Sequence, residues 1–298
     1  MGGLALILAA TTDGVYSIDT GEAILAERDV RFFAKRAVES WAVIAGRSVM
    51  CDAGSGWREV ARLERGTGLV AQPISNGRLL LGTTGAHVVR FQDGGLRRLP
   101  SFDVVPGRDE WENPAAAGRP DVWSFAADRA AVFVSVHVGG LWRSRDEGES
   151  WANVLPPQTD VHQVAANDGL VAVAAEHGFG FSDDGGDSWS WTTDGLHAAY
   201  LQCLALTDDA VYVGASSGPF ADDAAVYRAS PPGSTFGRRS AGLPDPFQSI
   251  GPYHLAADGD EVAVAPWSGS TVFVSRDAGA SWAPVAKQFP TIHSLAIG

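Results

Sequence analysis

Three segments of this chain carry one eight-residue phrase, S-x-D-x-G-x-S-W. They are residues 144–151 (SRDEGESW), 182–189 (SDDGGDSW) and 275–282 (SRDAGASW). Once the phrase is known, four decayed copies stand out. MCDAGSGW keeps Asp52, Gly54 and Trp57; SIDTGEAI keeps Ser17, Asp19 and Gly21, with Ile24 in place of the Trp. FQDGGLRR keeps Asp93 and Gly95 and has lost the aromatic; Ser230, Gly233 and Phe236 mark the last copy, with Pro231 where the Asp belongs. A phrase repeated seven times at about 40-residue spacing means one supersecondary unit used again and again.

The phrase reads as a hairpin turn. Its Asp carboxylate accepts from turn N–H groups, its Gly supplies a positive φ, and its Trp opens the next strand and fills space between neighbouring sheets. Two apolar strands precede each turn, as at residues 170–175 and 179–182. Before them runs a first strand with a shared pattern: VWSFAA (122–127), VHQVAA (161–166), LQCLAL (201–206) and IHSLAI (292–297). No stretch has helical periodicity. Four strands per repeat predict an all-β, seven-bladed β-propeller of antiparallel blades, with residues 1–298 as a single domain. The first turn has only two strands' worth of chain before it, and the last is followed by a spare strand. Residues 291–298 are therefore expected to join the blade built from residues 4–26, closing the ring and leaving no open edge. Residues 103–120 and 216–225 break the period as long insertions, where function often resides.

A net charge of −13 argues against a partner that is nucleic acid or an anionic membrane. Cys51 and Cys203 lie in predicted strands and read as buried thiols. The apolar N-terminal run lacks a basic region before it and flows into a turn, so a cytoplasmic protein is expected.

The turns resemble the Asp-box, or BNR, repeats of sialidases, sortilin-type receptors, xyloglucan-degrading glycosidases and the Ycf48-like photosystem assembly factors. The resemblance covers essentially the whole chain and implies fold more than activity. It does not imply sialidase activity: the R-I-P motif is missing and seven blades are counted against the usual six. Glycosidase chemistry needs two carboxylates across a bond. Asp109, Glu110, Glu112, Glu176, Asp222 and Asp223 are candidates, but no spacing pairs any two.

The seven histidines are the more informative residues. His87, His137 and His177 fall at predicted turns between second and third strands. His162, His254 and His293 fall early in first strands, and His197 leads into one. All belong to one end of a propeller, opposite the Asp turns. Arg31, Trp123, His162, Gln202, Tyr253 and His293 align at one register position; the third blade offers Leu69 or Val70. Two functions follow. One is an enzyme acting on a small-molecule substrate with a divalent transition metal (Zn, Cu, Fe or Ni) as cofactor. His162, His293, His137 and His177 would be its ligands, and Glu176, Tyr253 and Arg31 its catalytic groups. Trp111, Trp123, Trp267, Gln202 and His254 would line the substrate pocket. The other is a non-catalytic platform for a protein partner, using the same end or the loop around Trp111.

Overall fold

The computed structural model describes residues 6–36, 38–75, 77–111 and 120–298. Seven four-stranded antiparallel sheets form a seven-bladed β-propeller. Blade 1 joins Ile292–Ile297 to Ile7–Thr11, Gly14–Ser17 and Ala23–Leu25. Blade 2 holds Val30–Arg36, Glu39–Ile44, Ser48–Asp52 and Arg58–Arg62; blade 3 holds Gly68–Ser75, Arg78–Thr83, His87–Gln92 and Gly95–Arg98. Blade 4 runs through Val122–Ala127, Val132–Val136, Gly140–Ser144 and Ala152–Leu155, and blade 5 through Val161–Asn167, Leu170–Ala175, Gly178–Ser182 and Ser190–Thr192. Blade 6 comprises Tyr200–Leu206, Val211–Ser216, Ala225–Ala229 and Gly237–Arg238; blade 7 comprises Leu255–Asp258, Glu261–Val264, Phe273–Ser275 and Ala283–Pro284. Among the described residues the α-helix is confined to Pro100–Asp103, and no helix is long and apolar enough to cross a membrane.

The closing strand forms as expected. Ile297 pairs with Ile7 and Leu295 with Ala9, antiparallel, so the last strand of the chain becomes the first of blade 1. Ile292 and Leu295 are buried with Ile7, Ala9 and Phe289 in one apolar cluster. By Cα proximity the chain forms two compact units: residues 1–30, 174–181 and 190–298, and residues 31–173 and 182–189.

The three intact turns share one hydrogen-bond plan. Ser144 Oγ donates to Asp146 Oδ1 (2.8 Å) and accepts from the Gly148 N–H (2.7 Å); Asp146 in turn takes the Ser150 N–H (2.8 Å). The same bonds recur around Asp184 (Ser182, Gly186, Ser188) and Asp277 (Ser275, Gly279, Ser281). Gly148 has φ +96°, which favours glycine, and a Cβ there would stand 2.5 Å from Leu99. These bonds hold all three carboxyls below the usual range, Asp277 at about 2.

After each intact turn the Trp is a wedge against chain from the preceding blade. Trp151 lies 4.9 Å from Phe102 between ring centroids. Trp189 packs on the cluster containing Phe133 and Leu155. Trp282 is buried beside Tyr212 and donates its Nε1–H to the Arg239 carbonyl (2.8 Å). Cys51 and Cys203 are buried free thiols in strands, and burial pushes Cys203 up to about 12.

Candidate functional site

In an antiparallel blade the turn between second and third strands shares an end with the start of the first strand. The Asp turns lie at the other end. His87, His137 and His177 sit at such second-to-third turns, and His162 and His293 at starts of first strands.

Among the described residues, the first strands of blades 1, 3, 4 and 6 carry a β-bulge at one position. In blade 4 the pairing steps from Val122↔Val136 to Ser124↔Ser135, making Trp123 the extra residue. Gln202 is the extra residue in blade 6, His293 in blade 1 and Leu69 in blade 3. Leu69, not Val70, is thus the blade 3 member of the aligned set. A bulge re-aims its side chain and tightens the local twist. The aligned residues are therefore backbone-specified positions and not merely similar in sequence. Blade 7 departs: its first strand begins at Leu255, so Tyr253 precedes it with φ +62°, and the Tyr253 carbonyl accepts the Leu295 N–H (2.7 Å). Arg31 lies half-buried in the first strand of blade 2.

Most histidines stand beside an aspartate. His137 Nε2 and His162 Nε2 flank the two oxygens of Asp160, at 3.8 and 3.5 Å. His293 Nε2 lies 3.4 Å from Asp29, His197 Nε2 3.7 Å from Asp223, and His87 Nδ1 2.7 Å from Asp103. Trp123 stacks on His137 with centroids 4.7 Å apart. Burial pushes the His137 imidazole down, against the opposing pull of Asp160. Burial alone would raise the Asp160 carboxyl, but His162, His137 and the Val138 N–H hold it below the ordinary range. Trp123, His137, Asp160 and His162 thus form one half-buried cluster with a base, an acid and an aromatic wall.

Other expected residues are dispersed. His177 is exposed and packs its ring, tilted, against Trp191 (4.6 Å), beside an exposed Glu176. His254 is buried, lies 3.3 Å from the Pro266 carbonyl and is pushed down to about 4 by burial, so it is neutral at pH 7. Gln202 Oε1 accepts from Ser249 Oγ. Trp111 is buried against Phe102 and Trp142 with Arg108 over its ring (5.0 Å), so it lies in a core cluster. Glu112 and the rest of residues 112–119 of the 103–120 insertion lie outside the described residues. Among the described residues no three His, Cys, Asp or Glu side chains are placed to hold one metal ion.

The insertion at 216–225 is held to its surroundings. The Ala224 N–H donates to Phe247 O (2.9 Å) and the Ser249 N–H to Ala221 O (2.9 Å). At its tip Phe220 is 88% exposed. Its ring stacks on Trp267 (6.1 Å, 25°), which rests against Gly251.

Sequence reasoning missed the aspartates. Asp29, Asp121 and Asp160 precede first strands in the phrases D-V-R, D-V-W and D-V-H. Asp29 and Asp160 hold positive φ, and Asp121 accepts the Gly85 N–H (2.9 Å). The repeated Asp-Val pair was the signal.

No family model matches the chain, and no curated protein matches its sequence. Solved structures do match. A GH74 enzyme from Niastella koreensis superposes at TM-score 0.68 with 12% identity, covering 93% of this chain and 52% of that one. This chain therefore spans about half of that enzyme. YCF48 bound to D1 peptide matches at TM-score 0.54 with 15% identity, covering 96% and 87%. A chain of the nidogen–laminin complex matches at TM-score 0.56 with 9% identity, covering 98% of each. These similarities include enzymes and binding proteins alike, and at such identities what the chain shares with them is the β-propeller fold.

Proposed function

We propose that this chain is an Asp-box propeller that serves as a non-catalytic platform for a protein partner. Its contact surface would lie at the blade ends opposite the Asp turns. The observation that carries this reading is Phe220. A large apolar side chain left 88% exposed, on a loop pinned by backbone hydrogen bonds and stacked on Trp267, resembles a preorganised hot spot. Asp222 and Asp223 beside it favour a partner segment carrying basic charge. Among the similar folds, YCF48 is bound to a D1 peptide and the nidogen chain is in a complex with laminin; this supports the reading by analogy only.

The test is affinity capture from the native host, followed by a dissociation constant for the purified partner. Phe220→Ala should weaken binding at least about tenfold, a hot-spot-sized effect. Its stability should change by no more than about 0.5 kcal/mol, because the side chain is exposed. Affinity equal to the parent's in both Phe220→Ala and Trp267→Ala would sink the reading.

A second reading keeps the enzyme and is supported by the Asp160 cluster. Two imidazoles on one carboxylate can hold and pass a proton at Nε2. The cluster does not by itself fit a three-ligand metal centre. A small-molecule turnover that survives His162→Ala and His137→Ala would rule this reading out.

A further inference from the structure

The blade 3 turn has no aromatic wedge. Blade 3 pairs Arg90 with Arg97 as blade 4 pairs Arg143 with Ala152, so Leu96 stands where Trp151 stands in blade 4. Each intact Trp packs against chain from the preceding blade, so the missing one should open a gap toward blade 2. A cleft of roughly 680 Å³ lies there, walled by residues 61–66 at the end of blade 2, by the turn at residues 83–85 and by the third and fourth strands of blade 3. That volume suits a small organic molecule.

Its lining is basic in an acidic protein. Residues 58–98 hold seven arginines against three carboxylates, a local balance of +4 within a chain of −13. Arg62, Arg65 and Arg98 all line the cleft and are exposed; Glu64 is the carboxylate among them. Arg65 has no ion-pair partner among the described residues. Arg62 is steadied by Ser48 Oγ (2.8 Å). The Nε of Arg98 is held by Asp103 at 2.6 Å, which fixes the guanidinium plane; the same carboxylate meets His87, also a lining residue. Buried Leu63 and Val89 supply an apolar floor.

We propose that the wedge-less gap between blades 2 and 3 binds a small organic anion, an oxyanion group on an apolar body. The oxyanion sits between Arg65 and Arg98, and the body covers Leu63 and Val89 beside Leu96, the residue that replaces the indole. Planar guanidinium forks suit carboxylate or phosphate oxygens. This site is independent of the partner surface around Phe220.

The experiment is calorimetric titration of the full chain with phenyl phosphate at low salt, with inorganic phosphate alongside. Saturable one-to-one binding is expected, with inorganic phosphate at least about tenfold weaker because it cannot cover the floor. Leu96→Trp restores the wedge and should abolish binding. Arg65→Gln, on an exposed side chain that leaves the fold intact, should weaken it at least about tenfold, and exposed Arg129→Gln should leave it unchanged. A lack of saturable binding would overturn the proposal. So would affinity unchanged in Arg65→Gln, or inorganic phosphate binding as tightly as phenyl phosphate.

Discussion

Blades 3 and 7 are built from the same plan and differ at one turn. In blade 7, Asp277 gathers Ser275 and Ser281, and Trp282 is buried with its indole N–H on the Arg239 carbonyl. In blade 3, Asp93 survives, but the turn is two residues shorter and Leu96 stands where the tryptophan would be. Both blades still pair four strands. The turn bonds therefore are not needed to form a blade. What the intact phrase adds is a filled gap beside the blade, and where it decays the gap is available for chemistry. The apolar strands make the blade, and the turn decides what happens between blades.

The largest test concerns blade 1, whose turn is also decayed, with Ile24 replacing the aromatic. It takes its cohesion from a strand at the other end of the chain. Removing residues 291–298 strips out buried Ile292 and Leu295. Losing either side chain costs about 2–5 kcal/mol, a large share of a net stability of about 5–15 kcal/mol. The truncated chain should lose its cooperative thermal transition by circular dichroism. An unchanged melting temperature would show that blade 1 stands without its borrowed strand.

Next comes the wedge itself. Trp282→Ala should cost about 3–5 kcal/mol in denaturant unfolding, through cavity formation and a stranded Arg239 carbonyl. Leu96→Ala, on the half-buried residue at the equivalent position of blade 3, should cost no more than about 1 kcal/mol. Similar costs for the two would erase the distinction between filled and open gaps.

The smallest effect is in acid. The folded Asp277 carboxyl titrates at about 2, below the ordinary value of about 3.9, so the unfolded chain binds its proton first. Its contribution is present above about pH 4 and is lost as pH falls toward about 2. Asp184 and Asp146 are depressed in the same direction and add to the slope. Between those limits, the melting temperature of Asp277→Asn should fall less steeply than that of the parent. Identical slopes would mean that the turn bonds are equally made in the unfolded chain.

Much of this was legible in the residues. The strands at 122–127, 170–175 and 292–297 have the bounds expected from their patterns. The local alternation, the turn phrase and its period are all near-neighbour properties, readable without tertiary information. The site was legible only in part. Aligning Trp123, Gln202 and His293 picked out one register position, but that each is the extra residue of a bulge is a property of pairing with a second strand. Trp111 illustrates the opposite outcome. Its place in a long polar insertion suggested a binding wall, whereas it is buried with Phe102 and Trp142, partners that lie on other elements.

The sequence by itself thus determined the blade, its number and its closure, because hydrogen-bonded hairpins are specified over a few residues and repetition multiplies the signal. Tertiary structure alone decided which aspartate each imidazole meets, that Phe220 stays outside on Trp267, and that Leu96 in place of an indole lies beside a basic cleft. Those outcomes depend on side chains far apart in the chain arriving within a few ångströms of one another, and no local pattern encodes that distance.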